Sequence, residues 1–245
     1  MNLDPELNHG KVMESAKQLS YRLLPRHLWL LLIYELRTAL IRLESMNMPE
    51  SYRGQTELLV NVGAGKNGRT GWINIDVLRV PGINCVFDCR KRLPFPDGSA
   101  RAIFCEHFLE HLDYAEDLPR FLSECRRVLR KRGVLRIVVP DGEAYLRGYC
   151  RTGWEDFVHL RLLSRDKRDP YFGCRYETKM EVINMVFRQG GEHKYCYDYD
   201  TLSYLLRRYG FVGVYKQKFG KSLMPELCID ASGRASESLY VEAVK

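Results

Sequence analysis

The sequence predicts an α/β fold: a mostly parallel sheet with helices on both faces. Two observations carry this. Short apolar runs of strand length alternate along the chain with stretches of helical periodicity. The apolar runs also end repeatedly on glycine or polar residues: Gly63/Gly65, Asp76, Asp88, Glu106/His107 and Asp141. In open α/β sheets ligands collect at the carboxyl ends of the strands, and a core has no need for polar tips there.

The first strand is read at Leu58–Val62. It breaks into Gly63-Ala64-Gly65, and a second apolar run follows (Trp72, Ile73, Ile75) and closes on Asp76. Glycines at a strand end leave backbone N–H groups open to a ligand. An acid on the neighbouring strand tip can accept from a ribose diol. Before this unit, residues 1–55 form a helical extension. Apolar residues recur helically from Leu19 to Leu43, Pro25 suits a first turn, and Met48-Pro49-Glu50-Ser51 reads as stop and linker. Residues 56–245 form the main domain. The 19–43 helix is expected to pack on that domain or cover the cofactor. A weak membrane-surface contact is the alternative, since Trp29, Ile33 and the interspersed arginines suit an interface.

After Asp76, a third strand is expected over Val80–Phe87 and a fourth over Ala102–Cys105, with a Pro-Gly turn from Leu93 to Ser99 between them. A helix is expected from Asp117 to Gly133, capped by Asp117 with Pro119 in its first turn. Leu118, Phe121, Leu122, Cys125, Val128 and Leu129 form its apolar stripe, and Gly133 its C′ residue. Val134–Val139 is the fifth strand. From 142 to 193 the pattern loosens to one helix, Met180–Phe187, which suggests an inserted lid or substrate-recognition region. Asp200 is expected to cap a helix that ends at Gly210. Phe211–Lys218 and Ser238–Val244 read as the last strands.

The totals exclude several classes. The chain has 245 residues and a formal charge of +7, with 45% hydrophobic and 28% charged residues. That length buries enough surface to need no staple. The positive charge comes without a long basic tail or interleaved aromatics, so nucleic-acid binding is not supported. The eight cysteines form no CxxC pair and several fall inside apparent strands and helices. A reducing, cytoplasmic setting is therefore expected. The longest apolar run, Leu28–Tyr34, is far short of the roughly 20 residues a spanning helix needs, and no secretory signal is visible.

Two motifs compete for a functional reading. Gly63-x-Gly65-x-x-Gly68 fits a dinucleotide fingerprint, but that fold wants a full helix after the glycines and an acid about 20 residues on. Here the chain reaches Trp72 after about one turn. His107-x-x-Glu110-His111 fits the inverted zinc-protease pattern. It starts at a strand end, however, and no third ligand is apparent; no metal is assigned.

The stretches VNVGAGKNGRTGWINID, DCRKRLPFPDGSARAIFCEHFLEHL and ECRRVLRKRGVLRIVVPD resemble a class I S-adenosylmethionine-dependent methyltransferase of the bacterial type-11-like group. GEHKYCYDYDTLSYLLRRYGF and ESLYVEA resemble its closing segments. The resemblance runs from Leu58 to the C-terminus. It implies a Rossmann-like sheet with a C-terminal antiparallel strand, and S-adenosyl-L-methionine as cofactor. It places Gly63, Ala64 and Gly65 under the methionine part, Asp76 on the ribose hydroxyls, Asp88 near the adenine amino group with Cys89 beside the ring, and Glu106 at the sulfonium end. The helix usual between the glycine loop and the second strand is nearly deleted here.

The function expected is methyl transfer to an oxygen or nitrogen of a small-molecule or glycan-like acceptor entering over Asp141 and the insert. Candidates for the base are His107, His111, Asp141 and His193. The rivals are a cofactor-binding but non-catalytic regulatory or partner protein, and a nucleic-acid methyltransferase. The latter is suggested only by the charge, because no NPPY-like sequence or Pro-Cys nucleophile is present.

Overall fold

A computed structural model describes residues 25–245. The chain divides into two compact units, residues 1–46 and 47–245.

Among the described residues of the first unit, Pro25 precedes the helix α1 (Arg26–Glu44). Proline presets the helical φ and has no N–H to leave unsatisfied there. Leu30, Leu31, Ile33, Leu36, Leu40 and Leu43 are all exposed along it. The expected start at Leu19 lies outside the described residues. Among the described residues no helix is long and apolar enough to cross a membrane.

The second unit opens with a single helical turn, α2 (Met48–Ser51), where the sequence suggests a linker. Pro49 sits in its first turn, and Met48 and Tyr52 pack against the core; that burial orders the segment. Seven strands follow: β1 (Leu58–Val62), β2 (Ile73–Asp76), β3 (Cys85–Val86), β4 (Ala100–Glu106), β5 (Leu129–Pro140), β6 (Gly213–Gln217) and β7 (Ser238–Val244). Their order is β3-β2-β1-β4-β5-β7-β6. Every pair from β3 to β5 is parallel, and β7 runs antiparallel to both β5 and β6. The order reverses between β1 and β4, and a reversal of this kind opens a crevice at the carboxyl edge.

β3 is much shorter than the expected Val80–Phe87. The Ile83 N–H donates to the Val80 carbonyl in a turn around Pro81-Gly82, which uses up the first half of that run. β6 likewise loses the ends of the expected Phe211–Lys218.

The helix after β4, α3 (Asp117–Val128), buries Leu118, Phe121, Leu122, Cys125 and Val128 as expected. Both of its ends differ from expectation. Asp113, not Asp117, receives the Ala115 and Glu116 N–H groups ahead of the helix. The helix also stops four residues short of the expected glycine. Leu129 turns extended and pairs with Ala100, so Arg130–Arg132 belong to β5. Gly133 is required for close approach instead: a Cβ there would meet the Arg130 carbonyl oxygen at 2.9 Å.

Alternation along the strands splits the core between the two faces of the sheet. Val60, Val62, Ile103, Cys105, Ile137 and Val241 join the stripe of α3 and Leu202, Leu205 and Leu206 of α7 (Tyr199–Arg208). On the other face Trp72, Phe104, Val138 and Tyr240 pack with Leu227 and Met224 of the β6–β7 connection. Arg136, fully buried in β5, anchors that connection. It donates to both oxygens of Asp230 (2.8 and 2.6 Å), to its cross-strand partner Glu242 (2.8 Å) and to the carbonyls of Lys218 and Lys221.

The insert is more helical than its sequence pattern suggests. It holds α4 (Gly142–Cys150), α5 (Glu155–Arg161) and α6 (Lys179–Arg188). Tyr145, Phe157, Leu160, Val182, Ile183 and Val186 give it a core of its own. Helices this short bury one or two turns each, so no long stripe marks them in the sequence. Arg161 fastens the insert to the start of β7 by pairing with Asp169 (2.8 Å) and Glu237 (2.5 Å), both buried. α7 is capped by Asp198, which accepts the Thr201 N–H, rather than by Asp200. Gly210, at φ +85°, closes it as expected. All eight cysteines are free, and Cys85, Cys89, Cys105 and Cys125 are buried in the core.

Candidate cofactor and acceptor site

The glycine loop leaves β1 at Gly63, whose φ of +66° lies in the left-handed region. A Cβ at Gly63 would also strike the Phe108 ring at 2.7 Å. The N–H groups of Gly63 and Ala64 both point back to the Ile75 carbonyl (2.9 and 3.3 Å). No helix separates β1 from β2, as the spacing requires. The connection is held by three asparagines instead. Asn61 of β1 donates to Asn74 Oδ1 of β2 (3.0 Å) and to the Asn67 carbonyl. Asn74 accepts the Arg69 N–H (2.9 Å) and donates to the Arg69 carbonyl, while Asn84 accepts the Asn74 N–H (2.7 Å). The two buried side chains are register partners on adjacent parallel strands. They do for the loop what a following helix does elsewhere. Asn74→Leu, which orphans the Arg69 N–H and the Asn61 amide, is expected to cost about 2–4 kcal/mol in urea unfolding. A loss below about 0.5 kcal/mol would show that the network does not hold the loop.

Asp76 closes β2 and bridges the loop. Its two oxygens accept the N–H groups of Gly65 and Leu78, each at 2.9 Å. Each oxygen keeps a further acceptor position. Asp88 is buried beyond β3. Oδ1 accepts the Arg90 backbone N–H and Nε (3.1 and 3.0 Å), and Oδ2 accepts Nη2 (3.2 Å). Cys89 beside it is buried, and burial pushes its thiol well up. At the tip of β4, Glu106 Oε1 accepts the Ala231 N–H (2.9 Å). Burial raises its carboxyl above the usual range, offset in part by that hydrogen bond.

The chain then bends sharply. His107 has φ +50°, a conformation that non-glycine residues adopt rarely and at a cost. His107 Nδ1 accepts from Arg234 Nη1 (3.1 Å), and its Nε2 donates to Ser238 Oγ (2.9 Å). The 3-10 turn Leu109–His111 follows. Its Glu110 carbonyl accepts the N–H groups of Lys194 and Tyr195, which docks the end of the insert onto it. His193 thereby meets His111, with ring centroids 4.8 Å apart. Each ring donates through Nδ1 to a backbone carbonyl: His111 to Glu192 (3.1 Å) and His193 to Val186 (2.6 Å). Burial lowers the pKa of His193 despite the nearby Glu110. Burial would raise the Glu110 carboxyl, but the surrounding histidines, His107 first, more than compensate and hold it below the usual range. Tyr195 stacks on Tyr114 at 4.2 Å beside this cluster.

Of the four candidate bases, the structure thus brings together His111 and His193, with His107 adjacent but bonded at both nitrogens. Asp141 stands apart, its Oδ1 capping α4 by accepting the Ala144 N–H (3.1 Å). Arg234 and the junction of His193 with Glu110 carry no local signal in the sequence, whereas the asparagine clamp shows there as a polar residue inside each of two apolar runs.

Residues 75–137 match the family model described as a methyltransferase domain, Methyltransf_11. The matched stretch, a minority of the chain, runs from the end of β2 into β5 of this sheet and supports a class I S-adenosylmethionine-dependent methyltransferase. Among solved structures the chain is similar to a SAM-dependent methyltransferase from Archaeoglobus fulgidus, with 17% identity, 85% of this chain and 94% of that one covered, and a TM-score of 0.47. It is also similar to a possible histamine N-methyltransferase from Thermotoga maritima, with 16% identity, 88% and 95% covered, and a TM-score of 0.46. A third is the 1,6-didemethyltoxoflavin-N1-methyltransferase of Burkholderia thailandensis, with 15% identity, 100% and 92% covered, and a TM-score of 0.45. No curated protein matches the sequence.

Proposed function

We propose that the chain transfers the methyl group of S-adenosylmethionine to an oxygen or nitrogen of a small-molecule or glycan-like acceptor. The observation that carries this reading is the grouping of Glu110 and His111, just after the β4 tip, with His193 at the end of the insert, where the insert docks on the 3-10 turn. In the proposed pose Gly63, Ala64 and Gly65 pass under the methionine part. Asp76 holds the ribose hydroxyls with its spare acceptor positions. Asp88 lies near the adenine amino group, with Cys89 beside the ring. Glu106 lies at the sulfonium end. The acceptor enters from the insert side, where the Tyr114–Tyr195 stack suits the flat apolar face of a ring.

In the reaction the methyl–sulfur bond breaks as the methyl–acceptor bond forms, and S-adenosylhomocysteine leaves. Positioning the two in line supplies much of the rate. The acceptor's proton must also depart, and the His111–His193 cluster is the place to receive it. His107 and Asp141 are already committed to Arg234, Ser238 and the α4 cap. With methyl-labelled S-adenosylmethionine and a panel of hydroxyl and amine acceptors, label should appear on one acceptor class. His193→Ala should lower turnover about 100-fold or more with cofactor affinity unchanged. Cofactor binding with no transfer to any acceptor would favour the non-catalytic regulatory reading, and label on RNA the nucleic-acid one. We also propose that α1 touches membrane surfaces weakly, a reading its exposed leucines support. Co-sedimentation with anionic vesicles, lost in Leu31→Glu/Leu36→Glu, tests this.

A further inference from the structure

The Glu110 side chain poses a problem the methyl-transfer reading leaves open. Only 1% of it is exposed, and neither carboxylate oxygen has a hydrogen-bond partner. His107 Nδ1 lies 3.1 Å from Oε1. That nitrogen is shared: it lies equally close, 3.1 Å, to Arg234 Nη1, whose N–H it can accept. A buried carboxylate faced only by imidazoles, with neither oxygen in a hydrogen bond of good geometry, is costly to keep, and a cation among those imidazoles would complete it.

The groups facing Glu110 suit a metal ion. A ring nitrogen of His111, a ring nitrogen of His193 and a Glu110 oxygen lie within 4.8 Å of one another. Each histidine spends Nδ1 as a donor to a backbone carbonyl, which fixes the tautomer and leaves Nε2 as the lone-pair nitrogen. Metal-ligating histidines are held in this way, the second nitrogen donating to a carbonyl or carboxylate. Zn²⁺ bonds of about 2.0–2.1 Å put tetrahedral ligands about 3.3 Å apart, so the cluster closes on an ion by small side-chain rotations. The buried hydroxyl of Tyr197, also without a partner, lines the same narrow cavity as Glu110, His193, Tyr195 and Cys196.

We infer that Glu110, His111 and His193 form a binding site for a divalent transition-metal ion, with Zn²⁺ the best fit to two imidazoles and one carboxylate. The local motif His107-x-x-Glu110-His111 misnames the set: His107 is turned away to Arg234 and Ser238, and His193 from the insert takes its place. Such a site leaves at least one coordination position open, in which an acceptor hydroxyl or a water would have its pKa lowered; with both Nε2 lone pairs on the ion, that activation would take the place of proton removal by a free imidazole. That role rests on the methyltransferase reading; the site itself does not.

Metal-stripped full-length protein titrated with Co²⁺ and with Zn²⁺ tests the inference directly. Expected are one ion per chain by elemental analysis after desalting, and visible d–d absorption of the Co²⁺ form. His193→Ala and Glu110→Gln should each weaken binding about 100-fold or more, while His107→Ala should change it less than about tenfold. Should Glu110→Gln fail to fold, His111→Gln serves in its place. Retained S-adenosylmethionine affinity in the variants shows that the cofactor half of the fold is intact, which separates loss of the ion from loss of the methyltransferase. Absence of binding to the folded wild-type protein would overturn the site. So would equal binding by His193→Ala, or a loss confined to His107→Ala.

Discussion

Arg136→Ala is expected to destabilise the protein by about 3–5 kcal/mol, the usual cost of removing one member of a buried ion pair. Arg136, Asp230 and Glu242 all have fully buried side chains. The truncation leaves two carboxylates with no counter-charge in the core. It also frees the carbonyls of Lys218 and Lys221, which Arg136 holds from the β6–β7 connection. That connection covers one face of the sheet and supplies the Ala231 N–H to Glu106, so the effect should reach the cofactor site. Replacing all three charges by apolar residues should restore stability only in part. Asp230 Oδ2 also accepts the Gly220 N–H, and Glu242 Oε2 accepts from Leu223 N–H and Gln217. Urea unfolding measures this; a loss under about 1 kcal/mol would mean that the network contributes little to stability.

Asp76→Ala should weaken S-adenosylmethionine binding at least about 100-fold. Each hydrogen bond from the ribose to a carboxylate is worth about 1.5–3 kcal/mol, and the glycine loop loses the anchor at Gly65 as well. Asp76→Asn keeps the shape but gives up the charge, and should fall between the two. Wild-type affinity within about threefold for the alanine variant would refute the ribose assignment, provided the variant folds with an unchanged melting temperature.

The parts of this site that were legible in the sequence are local ones. A strand that breaks into Gly63 and Gly65 and a second that ends on Asp76 leave their mark within a short stretch, and the missing helix between them is a matter of spacing. Chemistry assembled across the fold left no such mark. Glu110 and His193 meet only because the Lys194 and Tyr195 N–H groups dock on the 3-10 turn, a contact no periodicity encodes. The insert looked loose because α4 and α5 bury their few apolar residues against each other and α6 rather than along one stripe. At Leu129 strand pairing with Ala100 overrode a helical pattern that continued toward Gly133. Arg136 was legible in principle. A lone arginine inside Val134–Val139, a run otherwise apolar and long enough to be central, signals a buried pair. Asn61 and Asn74, at equivalent places in neighbouring strands, give the same kind of signal.

The carboxyl edge around Gly63, Asp76 and Glu106 is the proposed binding place of S-adenosylmethionine. Calorimetric titration of the full chain with S-adenosylmethionine tests it most directly. Saturable single-site binding, competed by S-adenosylhomocysteine and sharply weakened in Asp76→Ala, is the expected result. No binding to a protein that is folded by circular dichroism and melts cooperatively would contradict it.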